Sequence, residues 1–155
     1  MDKELSRVLS GWKLELGILN AIGALFFARD TGRYLYLLRN DPKNLECWAL
    51  PGGKIECAES LLDALKRECL EEIGVWPENS KPVPLEKFTN DKGDFSYNTF
   101  LMIVDKEFVP NLNNEHLGYA WIDRLHHPKP MHPGLWNTMN IEVVQQKINT
   151  TKSIL

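Results

Sequence analysis

No CxxC pair occurs in this chain, and its three cysteines make an odd count. That argues against a disulfide framework and for free thiols in a reducing, cytoplasmic compartment. Charge of one sign is not in excess. A net charge of −3 at pH 7 leaves no broad field to draw nucleic acid or a membrane surface, so neither is expected as a partner. Long hydrophobic runs are missing too. The best stretch, Leu14 to Ala28, is broken by Glu15 and Asn20 and is too short to span a bilayer. Met1-Asp2-Lys3-Glu4 leads into polar sequence, so no secretory signal is expected. Internal repeats are also lacking. What remains is 43% hydrophobic and 25% charged residues, the balance of an ordinary folded domain. With 155 residues there is room for one core, and a single domain over 1–155 is expected.

Against that plain background one segment stands out. Glu56 and Glu59 precede Glu68, Glu71 and Glu72 within a loop and one helix. The last three fall at i, i+3 and i+4 and share a helical face. Like charges at that spacing cost about 0.2–0.5 kcal/mol per pair. A helix that needed only solubility would intersperse lysines. Clustered hard carboxylate oxygens point instead to a divalent metal that supplies the missing positive charge. Leu62, Leu65, Cys69 and Ile73 recur at helical spacing, so an apolar stripe is expected with the glutamate face beside it. Ser60 or Glu59 marks the helix start, and Gly74 suits a left-handed C-terminal cap. Upstream, Pro51-Gly52-Gly53 reads as a glycine loop after a short strand, Trp48-Ala49-Leu50.

These residues resemble the signature of the Nudix hydrolases, G-x5-E-x7-R-E-U-x-E-E-x-G-U, where U is aliphatic. Gly53, Glu59, Arg67, Glu68, Glu71, Glu72, Gly74 and Val75 fall on it without a gap, and Cys69 alone departs from the usual residue type. Cysteine is a small hydrophobe and suits a buried stripe. The match covers residues 53 to 75. The resemblance implies an α/β fold, an α/β/α sandwich with a mixed sheet. It also implies hydrolysis of a P–O–P bond by activated water. A small-molecule nucleotide would be the substrate and Mg²⁺ or Mn²⁺ the cofactor. Glu68, Glu71 and Glu72 would hold the metal, joined by the backbone carbonyl of Gly52. Glu56 would be an outer metal ligand or a base. Arg67 would orient the glutamates, with Glu59 bridging loop and helix. Glu115 lies where some relatives place a catalytic base or an additional ligand, and it reads equally as a solvated loop glutamate. Arg39 and Lys54 are candidates for phosphate contact beside Gly53, and equally read as surface cations. Many members pair as homodimers, although no pattern here demands it.

Elsewhere the chain reads as strands and loops. Ile18 to Ala28 and Arg33 to Arg39 form strands around an Asp30-Thr31-Gly32 turn, and the first is apolar on both faces, as in a sheet covered on both sides. Residues 1 to 13 read as a short helix or a strap, undecided. Leu85 to Thr89 and Phe95 to Val104 make a hairpin. Gly118 to Ile122 is a strand, and Gly134 to Ile148 a helix with Leu135, Met139, Val143 and Val144 inward. Trp48, Trp121 and Trp136 read as core residues. Tyr97, Phe95 and Phe100 read either as nucleobase platforms or as hairpin packing. His126, His127 and His132 belong to a proline-rich surface loop rather than a zinc site. Substrate class stays open. The segments that mark the NADH-preferring and coenzyme A classes are absent, and prolines 77, 82 and 84 lie too close to the motif to count as the downstream proline of the ADP-ribose class; a nucleotide sugar, ADP-ribose or a dinucleotide is favoured by default. Clearance of damaged nucleoside triphosphates is the nearest rival. A non-catalytic nucleotide-binding regulator on the same scaffold is a third reading.

Overall fold

The strand alternation of residues 19–28 organises the molecule. In the computed structural model, which describes residues 19–43 and 46–154, β1 (Leu19–Ala28) runs through the middle of a mixed seven-stranded sheet. Ile22, Ala24, Phe26 and Ala28 face one cluster, and Leu25 and Phe27 face another. This two-sided burial was legible in the apolar pattern. The expected strap over residues 1 to 13 lies outside the described residues, as does Ile18.

The other strands are β2 (Arg33–Arg39), β3 (Trp48–Ala49), β4 (Gly52–Lys54), β5 (Val83–Thr89), β6 (Phe95–Val104) and β7 (His116–Ile122). β6 lies parallel to β1 along its whole length, from Leu19↔Phe95 to Ala28↔Val104. The opposite edge of β1 is divided. Phe27 and Ala28 pair with β2, whereas Ala21, Ile22 and Gly23 pair with β4. β2 continues away from β1 and pairs with β7 and β3. The sheet therefore forks, and Gly52–Lys54 fills the fork as a strand where a loop was expected.

Helix α1 (Leu61–Ile73) covers one face, and α2 (Pro133–Met139) with α3 (Glu142–Ile154) covers the other. The α/β/α layering and mixed sheet are as expected. Ser60 caps α1 by accepting a hydrogen bond from the Asp63 N–H at 3.1 Å, and Gly74 ends it with φ 69°. The expected single C-terminal helix is two. Asn140 breaks it, donating from Nδ2 to the Trp136 carbonyl at 2.7 Å while the buried Gln145 amide donates to the Met139 carbonyl at 2.7 Å. The break changes the helical phase. Leu135, Met139 and Val144 are buried as expected, whereas Val143, expected inward, is 67% exposed. Trp136, expected in the core, is also largely exposed, whereas Trp121 is buried and its indole N–H donates to the Phe108 carbonyl. Among the described residues no helix is long and apolar enough to cross a membrane.

Candidate active site

The buried face of α1 contains Ala64, Leu65, Glu68, Cys69, Glu72 and Ile73. Two glutamates thus belong to the inward face itself, which corrects the expectation of an acidic face lying beside the apolar stripe. Leu62, assigned to that stripe, is 49% exposed, and Glu71 is exposed as well. Carboxylates are almost never buried without partners, so the partners of Glu68 and Glu72 define the site.

β4 supplies the first of them. Ala24 N–H donates to the Pro51 carbonyl and Ile55 N–H to the Asn20 carbonyl. Antiparallel ladders alternate hydrogen-bonded and non-hydrogen-bonded pairs. The intervening Gly23↔Gly52 and Ala21↔Lys54 pairs therefore turn the N–H and C=O of Gly52 and Lys54 away from β1. Gly52 N–H donates to Glu72 Oε1 at 3.0 Å, and the Lys54 carbonyl accepts from Arg67 at 3.0 Å. Gly53 matters for another reason. A Cβ there would sit 2.6 Å from Glu68 Oε1, so only glycine lets that carboxylate lie on the strand. At Gly52 a Cβ would meet the Ile22 carbonyl oxygen at 2.0 Å, so the close approach of β4 to β1 also demands glycine.

Arg67 ties the loop to the helix. Its guanidinium grips Glu59 with two bonds, Nε to Oε2 at 2.8 Å and Nη2 to Oε1 at 3.0 Å. Nη1 donates to Glu68 Oε1 at 2.9 Å and reaches Glu71 at 3.4 Å. Glu59 in turn accepts from the Glu56 N–H at 3.0 Å. The Glu56 side chain remains exposed, 3.8 Å from Arg67. The hydrogen bond from Arg67 holds the Glu59 carboxyl below its usual range, and Glu59 makes Arg67 still more firmly cationic.

The electrostatics of the buried pair run the other way. Burial, above all, pushes Glu72 up to about 9; Gly52 N–H opposes the rise, and Glu68 and Glu115 add to it. Burial also raises Glu68, with Arg67 opposing. Two adjoining carboxyls that resist ionisation mark a place where positive charge is missing. The donor set fits a hard dication: two buried carboxylates, an outward-turned Gly52 carbonyl on the same edge, and Glu71 and Glu56 at the rim. Among the described residues no three such side chains already converge as a ligand set. Glu68 is turned onto Arg67, and Glu72 onto Gly52.

The remaining candidates lie apart or on other walls. Lys54 joins through its backbone carbonyl while the residue is exposed. Arg39 bonds Asp41 at 2.6 Å, and its charge acts on Tyr97 and His116. Glu115 is exposed, accepts from Asn113 Nδ2 at 3.1 Å, and contributes to the potential at Glu72. Phe100 is buried in the core, which withholds it from a base, and the half-buried Phe95 packs on Phe88 across the hairpin. His126 pairs with Asp123, and His132 caps α2.

Two residues gain importance. Tyr97, half-buried, lays its phenol across Gly23, where a Cβ would be 2.0 Å from the hydroxyl oxygen. Burial, then the Glu72 carboxyl, keep that phenol protonated. His116, which the sequence reading did not single out, has a buried side chain with Nδ1 4.0 Å from Glu72 Oε1. Burial and Arg39 push its pKa down to about 4, so it is neutral at pH 7. A glycine and a tyrosine on neighbouring strands were the available signal for Tyr97. Nothing local distinguished His116.

Comparison with known proteins bears on the family and the fold. The family model described as NUDIX domain matches residues 18–140. A search of curated proteins finds no significant match. Among solved structures, a Caenorhabditis elegans Ap4A hydrolase complex superposes with a TM-score of 0.68 at 18% identity, over 87% of this chain and 99% of the other. A MutT protein from Methanosarcina mazei Go1 gives 0.65 at 21% identity, over 84% and 94%. The Escherichia coli dihydroneopterin triphosphate pyrophosphohydrolase gives 0.64 at 20%, over 82% and 92%. At these identities the likeness is one of fold.

Proposed function

This chain belongs to the Nudix family of pyrophosphate-bond hydrolases, and from that premise we propose that it hydrolyses a nucleoside diphosphate linked to a further group. A nucleotide sugar, ADP-ribose or a dinucleotide is the substrate class. The observation that carries the reading is the buried Glu68–Glu72 pair, set on Gly52-Gly53 and tied to Arg67. A structural helix has no use for two carboxylates desolvated side by side, because their burial costs stability. The similar structures include an Ap4A hydrolase and a dihydroneopterin triphosphate pyrophosphohydrolase. One fold thus serves different substrates, and specificity resides in the walls around the acidic pair.

Nudix hydrolases generally use a divalent metal. Bound here, Mg²⁺ or Mn²⁺ would supply neutralisation of diphosphate charge and acidify the attacking water. Glu68, Glu72 and the Gly52 carbonyl would hold it, with Glu71 and Glu56 at its margin. Arg67 keeps Glu68 in one rotamer through a bond that Glu59 anchors from the other side. Arg39 is a cation for the substrate's phosphates. Glu115, exposed at the head of β7, is the candidate to accept the proton of the attacking water. In glutamine exchanges, Glu68 and Glu72 should matter more to turnover than Glu115.

The test is a panel of nucleotide sugars, ADP-ribose, dinucleoside polyphosphates and nucleoside triphosphates, assayed with Mg²⁺ and Mn²⁺ in ¹⁸O-labelled water. Nucleoside monophosphate release from the diphosphate derivatives is expected, and the label identifies the phosphorus attacked. Turnover of triphosphates alone would overturn the substrate assignment. Nucleotide binding without turnover would overturn catalysis.

A further inference from the structure

His116 opens β7 and its side chain is only 6% exposed, yet Nδ1 has no hydrogen-bond partner. A buried polar atom left unpaired is costly and rare. The Glu72 side chain, 2% exposed, is the buried acceptor beside it, with Oε1 4.0 Å from that nitrogen. Oε1 already accepts from Gly52 N–H, and a carboxylate oxygen has lone pairs for a second donor. The other charged groups that face His116 are Arg39, Asp41 and Glu115. Arg39 and Asp41 are bonded to each other, and Glu115 is exposed and bonded to Asn113. We propose that in the working enzyme His116 Nδ1–H donates to Glu72 Oε1 and is a positioning residue for that carboxylate. A displacement of about 1 Å brings the pair from 4.0 Å to hydrogen-bonding distance. Glu72 is then fixed from two sides, by β4 through Gly52 and by β7 through His116. The consequence for turnover rests on the proposed function; the hydrogen bond does not.

The experiment has two arms. In metal-free protein labelled with ¹⁵N-histidine, NMR should report His116 as the neutral Nδ1–H tautomer, and Glu72→Ala should change that signal. An unprotonated Nδ1 in the wild type, or a signal indifferent to Glu72→Ala, overturns the proposal. The second arm avoids altering Glu72. An asparagine amide nitrogen falls near Nδ1 of histidine, whereas a glutamine amide nitrogen falls near Nε2. His116→Gln should lower kcat about tenfold with KM little changed, as loss of an outer positioning partner does. His116→Asn should retain clearly more turnover. Equal losses in both variants overturn the positioning role. Should the wild type show no hydrolysis, the functional reading fails by itself, while the tautomer still decides the hydrogen bond.

Discussion

Gly53 and Glu68 are a matched pair, because the absent side chain of one is the seat of the other's carboxylate. Gly53→Ala should therefore displace a flexible carboxylate and little else. Activity is expected to fall about tenfold or more, as when a ligand loses its orientation, with the unfolding midpoint nearly unchanged. Gly52→Ala differs, since its Cβ would strike backbone at 2.0 Å. Denaturant unfolding should show a loss of about 1–3 kcal/mol, the usual cost of overpacking. At Arg67 the informative exchange is to lysine, which keeps the charge and loses the planar fork on Glu59. Arg67→Lys should cost about 10- to 100-fold in kcat or metal affinity; wild-type values would show that charge alone suffices. The residue types of this cluster were legible because Gly53, Glu59, Arg67 and the three glutamates are close in sequence. Their division into buried Glu68 and Glu72 and exposed Glu71 was not. Hydropathy counts a carboxylate as solvent-facing, and here two occupy inward positions.

At the scale of elements, α1 carries an unusual burden, which makes its stability depend on pH. Burial holds the Glu72 carboxyl up at about 9 when folded, against about 4.3 in an unfolded chain. Below that range it is protonated in both states. Within it, the folded state holds a proton that the unfolded chain has released, so stability falls as pH rises. Metal-free protein should lose thermal midpoint steadily from about pH 5 to about pH 9. Glu72→Gln should flatten that slope, and Mg²⁺ or Mn²⁺ should restore the midpoint most at the alkaline end. A midpoint that rises through this window would contradict the burial of Glu72. The ends of α1 were readable because Ser60 and Gly74 act on backbone within one turn. The division of α2 from α3 was not, since Asn140 is tolerated in helices and only its bond to Trp136 together with Gln145's bond to Met139 reveals a break.

Across the whole molecule, the fork in the sheet places the chemistry. β1 passes from β2 to β4 along one edge, and the opening gathers α1, β4, β6 and β7 around Glu72. Tyr97 and His116 reach this place through strand pairings with Ala21 and Arg39, each about half the chain away, which is why the sequence offered Tyr97 only as a platform or hairpin residue and did not single out His116. The α/β/α layering was legible because β1 is apolar on both faces; the fork was not, because Gly52-Gly53-Lys54 has the composition of a loop. On the proposed function Glu68 and Glu72 would hold a dication in this fork, so the decisive measurement is nucleoside monophosphate release from ADP-ribose or a dinucleotide by metal-stripped protein, before and after Mg²⁺ or Mn²⁺ is returned, in wild type and Glu72→Gln. Wild-type turnover should appear only with the ion, and Glu72→Gln should remain at least about 100-fold slower, beyond the loss typical of outer-shell partners. Metal-independent turnover, or full activity in Glu72→Gln, would contradict it.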